Sequence, residues 1–185
     1  MNNLNKPITI AIAGVSGGGK TALTTHLATH TNNAKALFFD DYDLDGPDDV
    51  LEWINRGANS HEWNLEPFVA DFMELLKQPL EYIFLDYPFA YQHTQMKEFI
   101  DLAVFIETPL DLALARRVSR DFQNSSGEEI VAQVNHYASH GRRAYLNMIE
   151  TIQPDSDLLV DGTLTIESLA DHIMEKGGEY HRGRT

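Results

Sequence analysis

Eight consecutive residues carry the most pointed chemistry in the chain: Gly14-Val15-Ser16-Gly17-Gly18-Gly19-Lys20-Thr21. They fit the pattern G-x-x-x-x-G-K-[ST] without a mismatch. Glycines let a backbone turn tightly and aim its N–H groups inward, where a Cβ would bar a phosphate. A lysine at the position of Lys20 reaches β- and γ-phosphates, and a hydroxyl at the position of Thr21 serves Mg²⁺. Gly14, Val15, Ser16, Gly17, Gly18, Gly19 and Lys20 are therefore read as nucleotide-binding, and Thr21 as a metal ligand. The motif names a nucleotide; it does not name a reaction.

Such a loop works only between a strand and a helix. Before it runs Ile8-Thr9-Ile10-Ala11-Ile12-Ala13, short, apolar and rich in β-branched residues, as a buried strand is. After it, Leu23 and Leu27 fall at helical spacing, and the helix adds free N–H groups and the positive end of its dipole. Ala34-Lys35-Ala36-Leu37-Phe38-Phe39 reads as a second buried strand, ending in Asp40-Asp41-Tyr42. Acids at the carboxyl end of such a strand lie on the ligand-binding edge of an α/β sheet. A carboxylate there suits phosphoryl transfer, either accepting a hydroxyl proton or holding metal-bound water. Tyr82-Ile83-Phe84-Leu85-Asp86 is a third strand, and Asp86 is the leading acidic metal candidate, acting directly or through water.

Further along, Trp53, Trp63 and Tyr42 could form a stacking wall for a substrate ring or serve as core anchors. Pro47 suits a first helical turn, with Asp48 and Asp49 at its positive end. Phe68, Phe72, Leu75 and Leu76 share a helical face. The aromatic loop Tyr87-Pro88-Phe89-Ala90-Tyr91 sits at the same edge as Asp86 and could line an acceptor pocket. A fourth strand over 102–107 leads into a helix from Leu110 that carries Arg116, Arg117 and Arg120. Arg116 and Arg120 are i,i+4 neighbours, placed to clamp transferring phosphates; ion pairing with nearby acids is the competing role. Phe122-Gln123-Asn124-Ser125-Ser126-Gly127 is polar enough for the tip of a lid, which excludes water from the reaction. The stretch 128–151 reads as one long helix kinked at Gly141, with Arg142 and Arg143 as surface charges. A short fifth strand over 158–160 and a last helix over 166–174 follow, and 177–185 reads as a disordered tail.

The bulk properties narrow the class. A length of 185 residues suits one domain with a full core. The formal charge is −14, which repels nucleic acid and anionic membrane and favours a small-molecule partner. No cysteine is present, so no disulfide and no thiolate metal site arises. The polar start Met1-Asn2-Asn3-Leu4-Asn5-Lys6 has no apolar leader stretch, and the expectation is a cytoplasmic protein.

Several of these stretches together resemble the uridine kinase and nicotinamide riboside kinase group of phosphate-loop kinases, from Ile8 to about Ile173. Besides Gly14 to Thr21, the likeness rests on Phe38-Phe39-Asp40-Asp41-Tyr42, on Leu114-Ala115-Arg116-Arg117-Val118-Ser119-Arg120-Asp121, and on Leu159-Val160-Asp161-Gly162-Thr163 followed by Glu167-Ser168-Leu169. The resemblance implies a three-layer α/β/α fold with a parallel five-stranded sheet, over about 1–176, and a lid over about 116–128. It implies ATP and Mg²⁺ as cofactors and transfer of the γ-phosphate to a hydroxyl, often a ribose 5′-OH. By position, Asp40 takes the general base and a place near the metal, and Lys20, Arg116 and Arg120 the catalytic cations. Arg117 falls with the nucleotide, and Asp41, Tyr42, Asp48 or Asp49, and Tyr91 with the acceptor. Asp86 takes the place of the metal-binding glutamate. The chain ends that strand Asp86-Tyr87 where family members usually have Glu-Gly, so the side chain reaches one methylene less far. A nucleotide-dependent switch is the rival reading. It would need a segment sensing the γ-phosphate, and no base-reading N-K-x-D motif occurs.

Overall fold

In the computed structural model, which describes the backbone of residues 6–183 and side chains as far as residue 180, β1 (Ile8–Gly14) is buried along its whole length. An apolar run without polar alternation is what a strand covered on both faces requires. It pairs in parallel with β3 (Tyr82–Asp86) on one side and β4 (Leu102–Glu107) on the other. β2 (Ala34–Phe38) joins β3, and β5 (Leu158–Asp161) joins β4, giving the order 2-3-1-4-5 in one parallel sheet. β2 departs from the sequence reading: it is only half-buried, because it forms the sheet's edge.

The alternation within β1 sorts the two faces. Ile8, Ile10 and Ile12 pack with Leu23 and Leu27 of α1 (Lys20–His30) and with Leu169 and Ile173 of α8 (Ile166–Gly183). On the other face β1 presents Thr9, Ala11 and Ala13, all buried. These small residues leave room for a thick aromatic layer over that face. Trp53 and Ile54 of α2 (Val50–Asn55), Phe68 and Phe72 of α3 (Glu66–Leu75) and Met96 of α4 (Thr94–Lys97) fill it, joined by Tyr87 and Phe89.

Beyond β4 come α5 (Leu110–Asp121) and α6 (Gly127–His136), then a π-helical turn over Tyr137–Gly141 and α7 (Arg142–Thr151). The expected kink at Gly141 is instead this wider turn, and Gly141 itself keeps helical angles. Tyr137 and Tyr145 flank it, both buried, with their rings edge to face at 5.1 Å. α6 begins on a reciprocal cap, Ser126 Oγ accepting from the Glu129 amide and the Glu129 carboxylate from the Ser126 amide.

The C-terminal expectation is corrected. Instead of a disordered tail from 177, α8 continues to Gly183; 184 and 185 lie outside the described residues, as do 1–5 at the start. Gly177 is the reason: it is buried, and a Cβ there would stand 3.1 Å from Ile10 Cδ1. A glycine lets the helix axis approach the sheet closely enough for Tyr180 to pack on the same cluster. Among the described residues, no helix is long and apolar enough to cross a membrane.

Candidate active site

The parallel register brings the sequence's chemical residues to one edge. Asp86 ends β3 level with Ile12 of β1 and Phe38 of β2. The phosphate loop leaves β1 just beyond that level, and a single 3₁₀ turn over Phe39–Asp41 leaves β2 there. Loop, Asp86 and Asp40 are therefore neighbours by strand geometry, although 65 residues of sequence separate Thr21 from Asp86.

Contacts from other elements shape the loop. The Gly18 amide donates to the Val15 carbonyl at 2.9 Å, closing a tight turn. The Gly18 carbonyl accepts from Thr108 Oγ1, also at 2.9 Å, so the end of β4 holds the turn from outside. Gly17 has φ +78, and a Cβ on it would lie 2.1 Å from the Ala113 carbonyl oxygen of α5. Only glycine satisfies both the angle and the approach. Gly19 has φ +101 with open space where a Cβ would go, and no side chain caps α1 and no acid occupies its first turn. The free N–H groups and the positive dipole end are thus left for an anion, which is the cradle a phosphate fits.

Lys20 Nζ donates to the Val15 carbonyl at 3.3 Å, arched over the loop. Burial lowers its pKa, and the Asp86 and Asp40 carboxylates pull it back up. Asp86 is buried, and Thr21 Oγ1 donates to its Oδ2 at 2.6 Å. Burial raises the Asp86 pKa against the opposing pull of the Thr21 hydrogen bond and of Lys20. A hydroxyl and a carboxylate in contact form a hard-oxygen pair of the kind Mg²⁺ accepts, with phosphates and water completing its shell. Among the described residues, no three acids or imidazoles converge into a metal cage of their own. The donor set fits a metal that arrives with a nucleotide.

From this corner opens a cleft of about 440 Å³. Gly14, Ser16, Lys20, Asp40 and Asp86 line its phosphate end. Phe39, Trp53, Trp63 and Phe89 wall the far end, with Phe39 and Trp63 edge to face at 5.6 Å and Phe39 and Phe89 at 5.5 Å. Each tryptophan packs with the core and also lines the cleft. Asp40 is exposed at the junction of the two ends, and within the described residues its carboxylate makes no hydrogen bond.

Other residues singled out in the sequence are placed elsewhere. Asp41, Tyr42, Asp48 and Tyr91 do not line the cleft. The Tyr42 hydroxyl donates to Asp71 at 2.8 Å, and the Tyr91 hydroxyl to Asp157 at 2.5 Å. Asp48 is exposed, while Asp49 is spent as the cap of α2, accepting from the Leu51 and Glu52 amides. Pro47 lies before that cap, outside the helix.

The arginines separate. Arg116 donates to the Gly162 carbonyl after β5 at 3.1 Å. Arg117 pairs with Asp121 at 3.6 Å, donates to the Tyr145 hydroxyl at 3.4 Å and borders a neighbouring cavity of about 270 Å³. Arg120 is held by Asp121 at 2.6 Å, yet it and Asp40 feel each other's charge, and it opposes the proton on Lys20. Of the three, Arg120 is electrostatically coupled to the site without a contact inside the cleft.

One wall escaped the sequence reading. α7 contributes Ala144, Tyr145, Asn147, Met148 and Thr151, and Gln92 joins them from the loop before α4. The signal was available: Ala144, Met148 and Ile152 recur at i,i+4, and Asn147 and Thr151 interrupt an apolar face with carboxamide and hydroxyl.

A model of the phosphoribulokinase / uridine kinase family matches residues 55–167, more than half of the chain. Uridine kinase of Schizosaccharomyces pombe is 26% identical over 89% of this chain, which spans only 43% of that relative's length. Uridine kinase of Bacillus subtilis is 24% identical, over 95% of this chain and 89% of the relative. Among solved structures, a gluconokinase from Sinorhizobium meliloti superposes with a TM-score of 0.57 at 14% identity, over 96% of this chain and 95% of that one. Deoxyadenosine kinase from M. mycoides superposes with a TM-score of 0.52 at 15% identity, over 94% and 100% respectively. At these identities the structural likeness establishes the fold alone: an α/β architecture built on a five-stranded parallel sheet.

Proposed function

The chain belongs to the phosphoribulokinase / uridine kinase family, and on that premise we propose that it transfers the γ-phosphate of ATP to a hydroxyl of a small molecule, a nucleoside or related riboside. The observation that carries this reading is the single cleft joining two unlike ends. A phosphate cradle with Lys20, Thr21 and Asp86 lies at one end, an aromatic box at the other, and Asp40 stands between them.

Each residue has a role in this reading. The loop amides and Lys20 bind and orient the phosphates, and Lys20 neutralises charge that builds on them during transfer. Thr21 and Asp86 would hold Mg²⁺, which would supply positive charge to offset that of the phosphates. Asp40, free of competing hydrogen bonds, orients the acceptor hydroxyl and takes its proton. Arg120 is a lid cation whose charge bears on Asp40, and the segment around 116–128 closes the site against water. Arg116 and Arg117 hold α5 in place, Arg116 through the Gly162 carbonyl and Arg117 through the Tyr145 hydroxyl. Little covalent work is asked of the protein, since phosphoryl transfer depends mainly on positioning and electrostatics.

The test is a MgATP-consumption screen against nucleosides, nicotinamide riboside, pantothenate and simple sugars, with Asp40→Asn as control. ADP formed only with one acceptor class, and only by the wild type, is the expected result. Turnover independent of any acceptor would move the reading to an ATPase or regulatory switch.

A further inference from the structure

Beyond its phosphate end, the cleft contains no Asp, Glu, Lys, Arg or His among its lining residues. A charged group carried into that aromatic space would lose its water and find no counter-ion, which is strongly unfavourable. What the space does offer is two carboxamides. Asn147 is half-buried in the wall of α7, and its side chain makes no hydrogen bond among the described residues. Gln92 joins the same wall from the loop before α4, with Nε2 donating to the Thr151 carbonyl at 2.8 Å. That bond fixes which way the Gln92 amide points and leaves its oxygen without a partner among the described residues. Thr151 Oγ1 in turn donates to the Asn147 carbonyl, one helical turn away. The Gln92 carboxamide is thus anchored to α7 at Thr151, one helical turn from Asn147, and both carboxamides line the same cleft.

Resting on the kinase reading above, we infer that Asn147 and Gln92 determine acceptor specificity by reading the polar edge of an uncharged planar ring held among Phe39, Trp53, Trp63 and Phe89. Asn147 supplies both a donor and an acceptor, the complement of a ring edge that carries an imide or amide. Gln92 adds a pre-oriented acceptor. Half-buried carboxamides disfavour a ring lacking the matching edge, because such a ring covers them and leaves their polar groups unpaired. Carboxylate- or phosphate-bearing acceptors are rejected by the absence of a counter-ion. Neither carboxamide touches the reacting atoms, so both select the acceptor without taking part in transfer.

Two measurements separate this inference from the kinase reading. The first needs no turnover. The chain has only two tryptophans, Trp53 and Trp63, and both wall the cleft, so their fluorescence reports acceptor binding directly. Uridine is the neutral imide-edged probe, 1-phenyl-riboside the ring without an edge, and pantothenate the carboxylate. Wild type is expected to bind uridine and to respond to neither of the others. Asn147→Leu is expected to weaken uridine binding about 10- to 100-fold and to narrow the gap between uridine and the phenyl riboside. In steady-state assays the same variant raises acceptor KM by that factor and leaves kcat and the KM for MgATP within about threefold of wild type. Asn147→Asp keeps the shape but removes both donors, and is expected to weaken uridine binding at least as much while retaining the wild-type melting temperature.

Either of two results overturns the inference with the kinase reading intact. One is an Asn147→Leu enzyme with wild-type acceptor KM and selectivity; the other is a wild type that phosphorylates pantothenate or a ring-free sugar in preference to uridine. A wild type that turns over no acceptor overturns both.

Discussion

Thr21 Oγ1 and Asp86 Oδ2 lie 2.6 Å apart, joining the first turn of α1 to the last residue of β3. Because Asp86 is buried, that hydrogen bond is among the few forces favouring its charged form. Removal of the carboxyl by Asp86→Ala is expected to abolish phosphoryl transfer and strand the Thr21 hydroxyl. Thr21→Val, which keeps the shape of the side chain but not its oxygen, should lower kcat/KM at least about 100-fold at limiting Mg²⁺ and less at high Mg²⁺. A magnesium titration of kcat/KM decides this; equal loss at every concentration would remove Thr21 from the metal.

The raised pKa of Asp86 has a stability consequence with a definite sign. Between the carboxyl's ordinary value and its raised one, the folded state holds a proton the unfolded state has released, so stability falls as pH rises through that window. Asp86→Asn cannot titrate. The stability of this variant relative to wild type should therefore climb as pH rises from about 4 through the raised value, then level off. Paired urea titrations across that range test the slope.

Lys20→Ala and Asp40→Asn are expected to part company in binding. Both should lose phosphoryl transfer, by at least about 1000-fold for Lys20→Ala, if Lys20 meets the phosphates as proposed. Asp40→Asn should keep wild-type affinity for MgATP, measured by calorimetry. A fully active Asp40→Asn enzyme would shift the base role to another group, Asp41 being the next to test.

Tyr91 offers a contrast with the cleft residues. Its hydroxyl donates to Asp157 Oδ2, which also accepts from the Ala103 amide, tying the loop after β3 to the start of β5. Tyr91→Phe should cost about 0.5–1.5 kcal/mol of stability and leave acceptor KM unchanged. A raised KM with unchanged stability would return Tyr91 to the acceptor site.

Truncation after Lys176 tests the end of α8. Tyr180 packs on the sheet and Gly177 is buried against Ile10, so the shortened chain should be less stable by about 1–3 kcal/mol. A truly disordered tail would be removed without cost, and thermal melts distinguish the two.

Much of this architecture was legible in the sequence because its signals are local. The phosphate loop, the strands at Ile8, Tyr82 and Leu102 and the acids that end β2 and β3 each announce themselves within ten residues or so, and parallel pairing then forces them onto one edge. Non-local matters were harder to read. Tyr42, Tyr91 and Asp49 are polar residues of the right kind near the right edge, yet each is taken by a partner that sequence spacing does not reveal: Asp71, Asp157 and the α2 amides. The α7 wall was missed because its helical period shows which residues share a face, not what that face meets. The tail was misread because two adjacent glycines normally oppose a helix, and only the approach of Ile10 explains Gly177.

The hold of Thr108 on the Gly18 carbonyl bears on how the chain acquires its site. Gly18 and Thr108 are 90 residues apart, Thr21 and Asp86 are 65, and the Thr9 amide reaches Asp101 across 92. Closing loops of that length comes late in folding, after local helices have formed. The phosphate cradle is therefore completed by contacts from distant elements, and it should offer a nucleotide little to grip until β4 has docked beside β1. Nucleotide should act as a clasp fastened last: it holds the finished fold and slows its opening, while leaving the rate at which the chain first finds that fold almost untouched.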